Sequence, residues 1–170
     1  QLDLTPIEGL TLTAIVAPQY SFYKGKDHKK RYEVYRITGD PIPGTFYSST
    51  SLSESRNDNH SLTKQFYANY KLQLKRHSIG LMAGYEDYSY KWEEEGASRT
   101  NYSLVNFPYL NLGPEDYQFN SGKAGHNAYR SFFGRIMYSW ADRYILQANI
   151  RSDGSSRFAD GHRWGTFPSV

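Results

Sequence analysis

The stretch Phe132-Phe133-Gly134-Arg135-Ile136-Met137-Tyr138-Ser139-Trp140-Ala141-Asp142-Arg143-Tyr144-Ile145-Leu146-Gln147-Ala148-Asn149-Ile150 decides the fold. Its side chains alternate. Phe132, Gly134, Ile136, Tyr138 and Trp140 fall on one side, with Ser131, Phe133, Arg135, Met137 and Ser139 on the other. After Ala141-Asp142-Arg143 the alternation resumes. Tyr144, Leu146, Ala148 and Ile150 then stand opposite Ile145, Gln147, Asn149 and Arg151. A helix would scatter each set around its circumference, whereas a strand separates the two sets completely. The stretch therefore predicts a β-hairpin, closed by a polar tight turn and flanked by two aromatic residues.

The same period extends toward the N-terminus. Leu10, Leu12, Ala14, Val16, Tyr20 and Phe22 share one face, opposite Thr11, Thr13, Gln19 and Ser21. Phe66, Ala68, Tyr70, Leu72 and Leu74 oppose Thr63, Gln65, Asn69, Lys71, Gln73 and Lys75, and Ile79, Leu81, Ala83 and Tyr85 oppose Ser78, Gly80, Met82 and Gly84. Each segment is long enough to cross a bilayer at a tilt, which takes about 9–11 residues. Tight turns are expected at 6–9, 75–77 and 141–143. Long polar loops are expected at roughly 24–46, 93–128 and 153–165, where Gly, Pro, Ser, Asn and charge accumulate. Short and long connections thus alternate, as in a barrel with short turns on one rim and long loops on the other. The Ser-rich stretch 46–60 is expected to extend the strand at 62–74 beyond the membrane.

Composition agrees with this reading and excludes others. Aromatic residues make up 16 % of the 170 residues, as 16 Tyr, 9 Phe and 3 Trp, while only 38 % are hydrophobic. The mean hydropathy is −0.73, and no apolar run of about 18 residues exists, so a helical membrane protein is excluded. Barrel strands keep average hydropathy low because alternate residues face a polar lumen, and aromatics collect in girdles. With no cysteine there is no disulfide scaffold or thiolate metal site. A net charge of +3 gives no reason to invoke nucleic acid. Gln1-Leu2-Asp3-Leu4 reads as the tail of a strand and Thr166-Phe167-Pro168-Ser169-Val170 as the start of one, which predicts a section of a longer protein.

Residues 130–170 carry a specific pattern. Phe132-Phe133-Gly134-Arg135, Tyr138-Ser139, Asp142-Arg143-Tyr144, Arg151 through Asp153-Gly154-Ser155-Ser156-Arg157-Phe158, and Trp164-Gly165-Thr166-Phe167-Pro168-Ser169 follow in order. This resembles the barrel of SusC/RagA-type TonB-dependent outer-membrane transporters of Bacteroidetes, with looser similarity over the rest of the chain. The resemblance implies an all-β fold: an antiparallel transmembrane β-barrel segment of about five to six strands from a larger barrel, lacking the plug. It also implies energy-coupled import of oligosaccharides or peptides across a Gram-negative outer membrane, with no catalysis and no cofactor. The implied partners are a SusD-like surface lipoprotein, the TonB complex acting through the plug region, the transported substrate and outer-membrane lipid. Read physically, Trp140 and Tyr144 suit a membrane interface, and Asp153-Gly154-Ser155-Ser156 offers turn chemistry, with Gly154 available for positive φ. Arg157, Asp160 and Arg163 are expected to pair across a folded loop, in a structural role.

Candidate contacts for substrate or partner are Trp92, Tyr102, Phe107, Tyr109 and Tyr117, in and beside the 93–128 loop, whose aromatics also include Phe119. Packing of the loop on itself is the simpler use of these rings, and stacking on sugar rings the functional one. Other constellations are weak. His28, His60, His77, His126 and His162 lack partners at metal spacing, and Arg157 spoils a calcium loop at 153–157. Gly122-Lys123 lacks the rest of a phosphate loop. Glu93-Glu94-Glu95 reads as a solvated tip, and Lys26-Asp27-His28-Lys29-Lys30-Arg31 as a basic loop able to meet anionic lipopolysaccharide. The rival architecture is a soluble carbohydrate-binding β-sandwich, in which the faces of Phe66, Tyr70 and Leu72 and of Ile136, Tyr138 and Trp140 would pack on each other.

Overall fold

The computed structural model describes residues 1–47 and 49–170, with the backbone alone for 45–47. Among the described residues nine strands run in chain order: β1 Leu2–Ile7, β2 Leu10–Lys29, β3 Tyr32–Tyr35, β4 Pro41–Tyr47, β5 Ser51–Leu74, β6 His77–Thr100, β7 Gln118–Trp140, β8 Tyr144–Ser155 and β9 Trp164–Ser169. Seven of them form one sheet in the order β1-β2-β5-β6-β7-β8-β9, and β3 and β4 pair separately. The sheet has more strands than the five or six expected, because the short segments at both ends of the chain also pair.

The chain divides into two compact units. The first comprises Gln1–Tyr20, His60–Lys91 and His126–Val170, and the second Ser21–Asn59 and Trp92–Gly125. In the first unit the quoted hairpin forms as its pattern predicts. β7 and β8 are antiparallel, pairing Trp140 with Tyr144, Tyr138 with Leu146, Ile136 with Ala148 and Gly134 with Ile150 on one face. Arg135 with Asn149, Met137 with Gln147 and Phe133 with Arg151 pair on the other. β1 joins the same scheme, with Leu2 opposite Ala14 and Leu4 opposite Leu12. Its register shifts between Leu4 and Ile7, around Pro6, a residue that cannot donate to the ladder. The turn there is therefore Glu8-Gly9 alone.

The turns of this unit are tight. Ala141 and Asp142 both have positive φ (52° and 56°), and the Arg143 amide donates to the Trp140 carbonyl at 3.1 Å. This is the mirror-image turn that matches strand twist. Each turn is fastened to its neighbour in the sheet, since the Ala141 amide donates to the carbonyl of Arg76 in the β5–β6 turn at 2.7 Å and the Lys71 amide of β5 donates to the Gly9 carbonyl at 2.8 Å. Gly9 has φ +81°, and a Cβ there would lie 2.3 Å from the Lys71 carbonyl oxygen, so glycine is required.

Burial in the first unit is inverted relative to a water-soluble protein. Its buried side chains are polar, Thr13 and Ser131, whereas Leu4, Val16, Phe66, Ile136, Leu146 and Ile150 are exposed. No second sheet covers their face among the described residues of this unit, so the β-sandwich is not formed. The second unit has a small ordinary core of Thr50, Leu52 and Tyr102.

The loops are shorter than expected. Of 24–46, β2 takes the start and the β3–β4 hairpin most of the remainder, closed over Gly39 (φ +90°) by the Arg36 amide donating to Asp40. Of 93–128, β6 continues to Thr100 and β7 starts at Gln118; of 153–165, β8 continues to Ser155 and β9 starts at Trp164. Polar residues are tolerated in these strand ends because cross-strand pairs form, such as Lys123 to Glu94 at 2.8 Å. The stretch 46–60 splits. Phe46 and Tyr47 end β4, Ser48 lies outside the described residues, and only the part from Ser51 extends the strand to Leu74.

Candidate functional site

In the second unit the segment between β6 and β7 is held by polar clamps. Asn101 turns the chain out of β6 with φ +62°, a conformation asparagine tolerates better than most residues. Tyr102 then enters the core, 6 % exposed, its amide reaching the Thr50 carbonyl and its hydroxyl the Leu110 carbonyl, both at 3.5 Å. Burial raises its hydroxyl pKa above the usual tyrosine value. Arg99 donates to the Gly113 carbonyl at 2.7 Å and to Gln118 at 3.2 Å, and Lys30 donates to Asn106 at 3.0 Å. Two 3₁₀ turns, Leu110–Leu112 and Glu115–Tyr117, take up the slack.

Against this frame the five candidate rings separate. Tyr102 fastens the loop from inside. Trp92 lies half-buried in β6, with the Lys123 ammonium 5.7 Å above its ring and Gly125 packed against the indole. Phe107, Tyr109 and Tyr117 are exposed, as is Phe119, and Lys26 sits 5.2 Å over the Tyr109 ring. These exposed rings are available for stacking.

The unit also holds clefts that no motif announced. One is floored by Ser55, Gly96, Ser121 and Gly122 and rimmed by Tyr23, Arg56, Asn57, Glu94, Glu95 and Lys123. Asn57 donates to Glu94 at 3.3 Å, while its carbonyl oxygen is buried and accepts no hydrogen bond among the described residues. A rim with donors, acceptors and both signs of charge suits a polar ligand of little net charge. Sequence reading missed it because its residues come from four strands, and only the cross-strand register assembles them.

In the first unit the face opposite the apolar one carries a network around Arg151. Its guanidinium donates to Asp153 at 2.7 Å and Ser131 at 2.9 Å, lies 3.6 Å from Glu86 and sits 5.7 Å from the centre of the Phe133 ring. Gln65 donates to Glu86 at 2.6 Å. Arg135 bonds Asn149 at 3.1 Å on the same face.

The remaining motif residues are placed in fastenings. Gly134 lies in β7, Asp142 and Arg143 form the turn, and Tyr144 stacks on Trp140 at 5.5 Å. Gly154 is paired in the sheet with Trp164, whose ring a Cβ would approach to 2.7 Å. The close approach of this ring is the reason for glycine there, and its capacity for positive φ is not used. Gly165 similarly underlies the Phe167 ring, and Pro168 pairs with Ile150. The Ser155 amide bonds the Arg163 carbonyl, and Ser156 bonds the Ala128 main chain with both its amide and its hydroxyl, each at 2.9 Å. The Phe158 amide donates to Ser155, and its carbonyl accepts from Arg163 at 3.1 Å. The expected pairing across the loop forms between Arg163 and Asp160 at 2.8 Å, while Arg157 bonds Asn127 instead.

Comparison with known proteins gives these features a context. No family model matches the chain. It is 32 % identical over 115 residues to the TonB-dependent receptor SusC of Bacteroides thetaiotaomicron, covering 65 % of the chain and 11 % of that protein. It is 31 % identical over 132 residues to the TonB-dependent receptor P3 of Formosa agariphila, covering 75 % and 13 %. The chain is a relative of the SusC/RagA-type TonB-dependent transporters. The fold agrees: the RagAB peptide transporter superposes with a TM-score of 0.84 over 98 % of the chain and 18 % of its own, at 23 % identity. The RagAB peptide importer in its open-open state gives 0.84 at 24 % identity, with the same coverage. The chain thus spans little more than a tenth of the length of these curated SusC-type relatives.

Proposed function

We propose that the chain is a section of barrel wall, with its outer loops, from an energy-coupled importer in the outer membrane of a Gram-negative bacterium. The observation that carries this is the inverted first unit, in which apolar side chains are exposed on one face and an ordered polar network occupies the other. Its apolar face is bounded by rings. Trp140 and Tyr144 stack at the turn end, and Tyr85, Phe132 and Trp164 stand toward the other end. Phe132 and Trp140 are separated by about 27 Å along β7, or about 20 Å at the strand tilt of a barrel. That is close to the ~25 Å apolar band between aromatic girdles of outer-membrane barrels. In water the same face would be an exposed patch with no partner.

On this reading the tight turns face the periplasm and the long connections β2–β5 and β6–β7 belong to the outer loops. The plug and the remaining strands belong to other parts of the protein, since an open sheet edge is not viable in lipid. The substrate is an oligosaccharide or a peptide, taken up with a SusD-like surface lipoprotein and released inward through the TonB complex. The names of the relatives and the likeness to a peptide importer support this. Phe107, Tyr109 and Tyr117 are the loop rings offered to substrate or lipoprotein, and the Arg151 network lines the lumen.

The test is to purify the intact protein from detergent-solubilised outer membranes and identify what accompanies it by mass spectrometry. A stoichiometric surface lipoprotein is the expected result. Recovery from the soluble fraction, with no such partner, would overturn the reading.

A further inference from the structure

The apolar face of the first unit ends, beyond its second row of rings, in an abrupt change of chemistry. Tyr85 and Phe132 are 5.2 Å apart and Phe132 and Trp164 5.9 Å apart, centre to centre. One alternate position further along the same faces come Asp87 in β6 and Arg130 in β7, the latter paired with Gly154 beneath the Trp164 ring. Arg130 Nε donates to Asp87 at 2.8 Å, and Lys64 Nζ lies 3.9 Å from the same carboxylate. Beside them is a cavity lined by Ser89, Arg130, Ser155, Ser156, Arg163 and Trp164, among others. Asp87 also lines the cavity; Arg130 and Arg163 are paired with the carboxylates of Asp87 and Asp160, and Lys64 stands beside Asp87 as a third cation.

We propose that this cavity binds the phosphate of an anionic outer-leaflet lipid headgroup, with the ring row against its acyl chains. The inference rests on the membrane reading above and adds a ligand to the outside of the wall. Three observations converge. Alternation puts Arg130 and Trp164 on the apolar face, whereas the Arg151 network takes the opposite one, so a solute in the lumen does not reach them. The cations begin where the rings end, the depth at which a lipid exchanges hydrocarbon for charge. The groups present are those that hold phosphate: the Arg130 guanidinium, engaged by Asp87 through Nε, with serine hydroxyls beside it and with Arg163, whose Nε and Nη2 go to the Phe158 carbonyl and Asp160, as a second positive charge. Asp87 orients Arg130 rather than silencing it. The carboxylate is 17 % exposed and engages Nε, while the arginine side chain remains 66 % exposed.

Native mass spectrometry of the intact, detergent-purified protein tests this, titrating it with diphosphoryl lipid A, with the same lipid stripped of phosphate, and with inorganic phosphate. Lipid A is expected to be retained. The Arg130→Gln/Arg163→Gln variant is expected to weaken retention about tenfold or more, and removal of the lipid phosphates to do the same. Arg130→Lys keeps the Asp87 pair but loses the fork, and an intermediate loss is expected. Arg135→Gln, on the opposite face, is expected to bind as the unaltered protein does. Equal retention by all variants, or of the phosphate-free lipid, would overturn the proposal. Displacement of lipid A by inorganic phosphate would replace the lipid with a soluble ion and overturn it too. A protein absent from the membrane fraction sinks the function proposed above, whereas a membrane protein indifferent to these changes sinks this inference alone.

Discussion

Ile136 in β7 and Phe107 between β6 and β7 are almost equally exposed, at 49 % and 54 %. The units around them are built in opposite senses. Around Ile136 the apolar side chains point outward and the buried groups, Ser131 and Thr13, are polar and hydrogen-bonded to Arg151 and Asp3. Around Phe107 the unit buries Leu52 and Tyr102 and turns charged pairs such as Lys26 with Glu54 outward. Exposure therefore has meaning only relative to a solvent. Among the described residues the first unit sets an apolar face against a polar one and buries no apolar side chain, whereas the second buries a small apolar core, although four strands contribute residues to both.

The sharpest way to break this contrast is to place one charge in each setting. Ile136→Arg is expected to cost about 2–4 kcal/mol near mid-bilayer, read as a lower denaturant midpoint for the intact protein folded into lipid vesicles. A cost below about 0.5 kcal/mol would abolish the distinction between the units. Next in size is Tyr102→Ala, which empties the second unit's core. About 2–3 kcal/mol of local stability is expected to be lost, seen as faster proteolysis at 101–117 with the denaturant midpoint of the barrel unchanged. A smaller effect, about 1 kcal/mol, is expected for Ser131→Ala, which removes one charge-assisted bond from Arg151. Gln147→Arg on the same polar face should be tolerated within about 0.5 kcal/mol, and so should Phe107→Ser in the exposed loop. Weaker substrate capture by Phe107→Ser with folding intact would mark that ring as functional.

The first unit is legible in the sequence because an apolar face set against a polar one forces a strict alternation. The pattern from Phe132 to Ile150 specifies strands, turn and faces together, and the observed register agrees with it pair by pair. The second unit was legible only in part. Where both faces of a strand meet water, alternation carries no information, so the outer ends of β2, β6 and β7 read as loop. Tyr102 and Tyr109 are the same residue type in the same segment, and only the fold separates the buried one from the exposed one. The cleft at Asn57 and Glu94 depends on cross-strand register and was invisible for that reason. At Gly154 the sequence shows a glycine suited to a turn but not the ring it makes room for, because Trp164 leaves no local trace beside it.

The hydrogen bond from the Ala141 amide to the Arg76 carbonyl acts as a gauge for assembly. A hairpin can slide against its neighbour in steps of one residue, and each step would exchange the side chains it offers to oil and to water. Along the strands nearly every step restores the ladder, so the ladder alone discriminates poorly. At the tip the bond joins two turn residues rather than two strand residues, so a slipped hairpin separates this donor from this acceptor. The β7–β8 hairpin, closed by a local turn, can form early and then be checked at its tip as it docks on β6.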